Sequence, residues 1–209
     1  MQLVSFGAAL LLGLSLPAPA QTGAAPGPGT APAKPTAARP GPPDPMALMA
    51  AERQAMAKLA MLDGAWRGSA WTITPRGKAE VTHTERVGLF LAGTVRMIEG
   101  RSYAPNGTIP FVALGVISFN PANGTYRMRS YAQGMAGDFA MTVAPDGYAW
   151  EVPAGPGAVI RYRATVANGA WKEVGFRIAD AGAPVQVFEM NLKRIGETRW
   201  PVGEPVPMR

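Results

Sequence analysis

The chain has 209 residues, 47% of them hydrophobic and 16% charged, with a formal charge of +6 and no cysteine. Without cysteine there are no disulfides and no thiolate metal sites, so stability has to come from a packed core. The basic excess is scattered singly, as at Arg67, Arg86, Arg127 and Arg161, which reads as a solvated surface; a nucleic-acid interface would cluster its bases and interleave aromatics.

Residues 1–20 read as a signal peptide. An apolar run from Leu3 to Leu16 leads into Ala18-Pro19-Ala20, the small-x-small pattern of a cleavage site. The run stops at prolines, short of the ~20 apolar residues that a membrane anchor needs. The expectation is therefore an exported protein, periplasmic or secreted, with no transmembrane segment in the mature chain. Residues 21–45 are mostly Ala, Pro and Gly, with eight prolines. Such a segment buries too little to offset its ordering entropy and reads as a disordered, semi-stiff tether.

Residues 46–61 form the one predicted helix. Asp44 can cap it, Pro45 suits its first turn, and its interior consists of good helix formers. Met49, Met56, Leu59 and Ala60 make its apolar stripe, opposed by Arg53, Gln54 and Lys58. The methionines are soft donors of the kind Cu(I) accepts, but they form no tight run and have no histidine beside them. The helix is read as a cover lying on the rest of the domain.

Beyond Trp66 the punctuation becomes regular. Turn signals stand at Pro75-Arg76-Gly77, Pro105-Asn106-Gly107, Asn123-Gly124, Pro145-Asp146-Gly147, Pro153 to Gly157, Asn168-Gly169 and Asp180 to Pro184. Between them lie ten β-prone runs: 65–73, 79–87, 93–103, 109–119, 125–132, 137–143, 147–152, 158–167, 170–178 and 185–195. With short links and no second helical region, this predicts an all-β fold. The expected form is an antiparallel up-and-down barrel of about ten strands, which closes without leaving edges. The domain spans 46–195, followed by a tail at 196–209.

Alternation assigns faces. Ile160, Tyr162, Ala164 and Val166 are expected inside, as are Val174, Phe176 and Ile178, and Phe188, Met190 and Leu192. Val81-x-His83-x-Glu85-x-Val87 and Val95-x-Met97-x-Glu99-x-Arg101 place carboxylates on the more apolar face. A buried carboxylate needs a partner, and Arg127 or Arg129 is the candidate. These carboxylates read either as a structural salt bridge or plain exposed charges, or as a polar anchor at the floor of a ligand cavity. The candidate ligand-binding residues are Trp66, His83, Met97, Glu99, Arg129, Tyr162, Phe176 and Met190.

The stretches Leu62-Asp63-Gly64-Ala65-Trp66-Arg67-Gly68, Ile98-Glu99-Gly100-Arg101, Leu114 to Pro121, Tyr126-Arg127-Met128-Arg129, Trp150-Glu151-Val152-Pro153, Trp171 to Gly175 and Phe188 to Arg194 together resemble a bacterial exported domain of unknown function. That domain has a lipocalin-like (calycin) β-barrel, and the resemblance covers about residues 50–195. It implies the fold and an exported setting, but no reaction and no catalytic residue. It also implies a structural plug, with Trp66 at the closed end and Arg194 of the last strand packed across it. One departure is the loop Asp180-Ala181-Gly182-Ala183-Pro184, where the family pattern has Asp-Gly-Gly followed by Trp.

The sequence contains one histidine, no Gly-x-Ser-x-Gly elbow, no phosphate loop and no cluster with metal spacing. No cofactor is expected. His83 is the only imidazole that could meet a haem iron, and it is read as a hydrogen-bonded strand residue. The leading functional reading is binding of a small apolar or amphipathic molecule in the barrel. The alternatives are an enzyme using a buried carboxylate–arginine pair, or a filled barrel acting as an envelope interaction module.

Overall fold

A computed structural model describes residues 42–180 and 182–198. The predicted signal peptide, the tether up to residue 41, Ala181 and the tail beyond 198 lie outside the described residues. Helix α1 (Pro45–Ala57) begins where its chemistry allows: the Asp44 side chain accepts from the Met46 N–H at 2.9 Å, and Pro45 occupies the first turn. It ends earlier than residue 61. A short 3-10 turn, Ala60–Leu62, then directs the chain into the first strand.

Ten strands follow: β1 (Gly64–Thr74), β2 (Gly77–Phe90), β3 (Val95–Tyr103), β4 (Phe111–Asn120), β5 (Thr125–Ala132), β6 (Met135–Ala144), β7 (Gly147–Pro153), β8 (Ala158–Ala167), β9 (Ala170–Ala179) and β10 (Val185–Gly196). Each pairs antiparallel with its sequence neighbour, and β1 pairs with β10 to close the barrel. The fold is therefore all-β and lipocalin-like with one helix among the described residues. None of these helices is long and apolar enough to cross a membrane. The β8–β9 link shows how sequence sets the turns: Asn168 and Gly169 both take positive φ, 51° and 71°, as a two-residue hairpin turn demands. Gln133-Gly134 does the same between β5 and β6, at 52° and 81°, without the usual Asn or Asp to announce it.

The faces of β8 and β10 are those that alternation predicts, and on β2, which alternation left open, His83 and Glu85 point inward. The faces of β3 and β9 are reversed. In β9 the inward residues are Trp171, Glu173 and Gly175: Glu173 is paired with Ala164 on one side and Met190 on the other, both buried. Val174, Phe176 and Ile178 point outward. In β3, Arg96, Ile98, Gly100 and Ser102 point inward, Ser102 lying opposite His83 and Gly100 opposite Glu85. Met97, Glu99 and Arg101 therefore stand on the outer surface.

The helix seals one end of the barrel. Met56, Leu59 and Leu62 are fully buried against a core that includes Trp66, Val87, Ile117, Trp171 and Leu192. Of the expected stripe, Ala60 is exposed and Met49 only partly covered. Trp66 meets Trp171 edge to face at 5.6 Å, and its indole N–H donates to the Leu62 carbonyl at 2.8 Å. The Tyr126 hydroxyl donates to the Ala55 carbonyl at 3.0 Å. Arg194 stands opposite Trp66 in the register, where its Nε donates to the Asp63 carbonyl at 3.0 Å and its guanidinium pairs with Glu197.

The guanidinium buried at this end is that of Arg96, only 1% exposed. It grips both Asp63 carboxylate oxygens, at 2.8 and 2.9 Å, and donates to the Met56 carbonyl. One side chain of β3 thus ties down the end of α1 and the entry to β1. Leaving one partner of a buried pair uncompensated costs about 3–5 kcal/mol. Asp63 keeps a third of its side-chain exposure, so water can replace part of what it loses. Arg96→Ala should therefore destabilise by about 3 kcal/mol in chemical denaturation, with Asp63→Asn costing less. A loss at Arg96 below about 1 kcal/mol, the scale of a surface pair, would show that the helix is held without this ion pair.

Candidate functional site

The lumen carries two polar groups on facing strands. The first is built on β2 and β3. His83, 4% exposed, has Nδ1 at 2.8 Å from the Ser102 hydroxyl and Nε2 at 2.9 Å from Oε1 of Glu85. A carboxylate only accepts, so Nε2 donates to Glu85; in the neutral ring Nδ1 then accepts from the Ser102 hydroxyl. The other Glu85 oxygen, Oε2, is buried and meets no hydrogen-bond donor. Gly100, directly across from Glu85, is what makes room for it: a Cβ there would lie 2.7 Å from Oε1.

The second group is built on β7 and β9. Glu173, 7% exposed, accepts from the Tyr148 hydroxyl at 2.8 Å and from the Trp150 indole N–H at 3.0 Å. Burial pushes its carboxyl above the ordinary value of 4.5. The two hydrogen bonds oppose that shift, the charge of Glu85 adds to it, and His83 opposes it. Burial, with Glu173 beside it, also drives the Tyr148 hydroxyl well above its ordinary range. The two groups feel each other across the lumen.

Around them, toward the end away from the helix, runs a belt of inward-facing aromatics. Trp150 stacks on Tyr162 with centroids 4.7 Å apart. Phe139 meets Trp150 at 5.5 Å, Phe188 meets Tyr162 at 5.6 Å, and Phe111 lies 6.4 Å from the His83 ring. Gly175 leaves the space that Tyr162 and Phe188 share, since a Cβ there would sit 2.8 Å from one ring and 3.0 Å from the Cβ of the other residue. These rings are half-buried, whereas Trp66 and Trp171 at the helix end are fully buried. The barrel is thus tightly packed at one end, and aromatic and partly exposed at the other.

Of the residues selected from sequence, Trp66, His83, Tyr162 and Met190 face the lumen. Met97, Glu99, Arg129 and Phe176 face outward. The expected carboxylate–arginine pair is not formed. Glu99 pairs with Arg86 and Arg101, whose hydrogen bonds outweigh partial burial and hold its carboxyl below the usual range. Arg129 pairs with Asp138 and donates to the Tyr131 hydroxyl at 2.9 Å. An outer groove of about 660 Å³ includes Glu99, Arg101, Val112, Leu114, Tyr131 and Met135; its carboxylate is already neutralised, and the buried polar groups that would orient a ligand are in the lumen. Sequence reasoning passed over Ser102, Glu173, Tyr148, Trp150 and the rings of Phe111, Phe139 and Phe188. No group of three or more His, Cys, Asp or Glu side chains among the described residues could hold a metal ion. No protein-family model matches the chain, and no curated protein matches its sequence.

The raised Glu173 carboxyl makes stability depend on pH. A carboxyl whose folded value lies above its unfolded value binds the proton more tightly when folded. Its contribution is fully present below pH 4.5 and is lost as pH rises through the folded value. Denaturation midpoints measured from pH 4 upward (roughly the unfolded carboxyl range) should fall more steeply for the natural chain than for Glu173→Gln. Parallel curves would mean that Glu173 titrates alike in both states.

Proposed function

We propose that this is an exported, lipocalin-like binding protein that holds one small amphipathic molecule in the open end of its barrel. The observation that carries the reading is the half-buried aromatic belt of Phe111, Phe139, Trp150, Tyr162 and Phe188 set directly above a buried polar floor. Ligand sites are mostly apolar concavities with a few placed polar groups. Here the rings receive an apolar body, and His83, Glu85 and Glu173 receive its polar end. Export rests on the leader pattern of residues 1–20, and the bacterial calycin relationship on the quoted stretches.

Trp150 sits in the belt and reports on it. Titrating the protein with dodecyl amphiphiles should change tryptophan fluorescence saturably at one site. Phe188→Ala, which removes one wall, should weaken binding about ten-fold, or ~1.4 kcal/mol, while the circular dichroism spectrum is kept. Non-saturable changes indifferent to Phe188→Ala would end the reading.

A second reading rests on Ser102, His83 and Glu85, joined in the order of nucleophile, base and orienting carboxylate. In it the Ser102 oxygen attacks an ester carbonyl, its proton passing to Nδ1 and then to the departing alcohol; water releases the acyl group. A fluorophosphonate should then label Ser102, and His83→Ala should abolish labelling. An unlabelled natural protein removes this reading.

A further inference from the structure

The polar floor carries more negative charge than its surroundings answer. Among the described residues Glu85 has only the His83 ring beside it, which is charged only when protonated, and Glu173 has no ion-pair partner, being held by a phenol and an indole. No lysine or arginine among the described residues forms an ion pair with either. The one guanidinium buried in the barrel among the described residues, Arg96, is taken by Asp63 at the closed end. Oε2 of Glu85 is buried without a donor, and an unmatched buried carboxylate oxygen is costly. The Trp150 indole both donates to Glu173 and forms the wall of the belt, through its stacking on Tyr162 and its contact with Phe139. A ligand lodged among these rings therefore brings its polar end to the carboxylates.

From this arrangement we infer that the ligand is cationic: an amphiphile with a protonated amine, whose N–H donors reach Glu85 Oε2 and Glu173 and whose charge lies among the rings of Trp150, Tyr162 and Phe139. The inference rests on the proposed lumen site and specifies its ligand class. An ammonium has three donors and no acceptor, which matches a floor that offers only acceptors at Glu85 Oε2. Aromatic walls attract organic cations, whereas a hard metal ion would require six or more oxygen ligands. Burial first, and the charge of Glu85 after it, raise the Glu173 carboxyl; a cation bound beside it would favour its ionised form. The choice of cation also runs against the molecule as a whole. A net charge of +6 favours anions at long range, so a preference for an amine has to originate locally.

The test compares dodecylammonium, dodecanol and dodecanoate on the natural full-domain protein by calorimetry and tryptophan fluorescence. Dodecylammonium should bind about ten-fold tighter than either of the others. Glu85→Gln and Glu173→Gln should each remove most of that preference, weakening dodecylammonium by several-fold more than dodecanol. Equal affinity for amine and alcohol, or a preference for dodecanoate, overturns the inference while leaving the lumen site standing. Binding of none of the three overturns both. Because the comparison among probes needs no variant, it decides the matter even where a substituted chain fails to fold.

Discussion

The guanidinium of Arg96 determines what one end of this barrel becomes. It lies inside a protein with only Asp63 and a backbone carbonyl for company, and those partners belong to the turn that joins the helix to β1. By holding that turn it brings Met56, Leu59 and Leu62 down onto Trp66 and Trp171. The opposite end has no such clamp. Its rings stay half-exposed, so the asymmetry between a sealed floor and an accessible mouth follows from one buried cation and its partner.

The lumen is shaped by what its strands omit. Gly100 and Gly175 both point inward, and each cedes its volume to a neighbour: the Glu85 carboxylate at one, and the rings of Tyr162 and Phe188 at the other. Polar residues survive there because their partners come from the adjoining strands. Ser102 of β3 reaches His83 of β2, and Tyr148 and Trp150 of β7 reach Glu173 of β9. Buried polar groups arranged in this way fix side-chain positions as well as cost energy.

Much of the fold was legible in the chain because turns are local. Pro, Asn, Asp and Gly marked most of the hairpins, and all ten expected runs are strands. The site was legible only in part. On β2, Val81 and Val87 share a face with His83 and Glu85, but alternation alone left open which face of that strand turned inward. On β9 the same reasoning failed: Val174, Phe176 and Ile178 outweigh Trp171, Glu173 and Gly175 in hydropathy, yet the latter face inward. Hydropathy cannot register that Glu173 is answered by a tyrosine and an indole from β7. On β3, Arg96 looked like a surface residue because its reason for burial, Asp63, lies 33 positions away.

The seam between β1 and β10 has a consequence for how the chain acquires its shape. Arg194 and the Asp63 carbonyl it holds are 131 positions apart, so the barrel cannot shut until its final strand exists. Without β10 the sheet would have two unpaired edges, and Trp66 would lie uncovered on the β10 side. Contacts of such sequence separation form slowly. The closing seam is thus the one pairing whose partners lie at opposite ends of the domain, while the other nine join sequence neighbours.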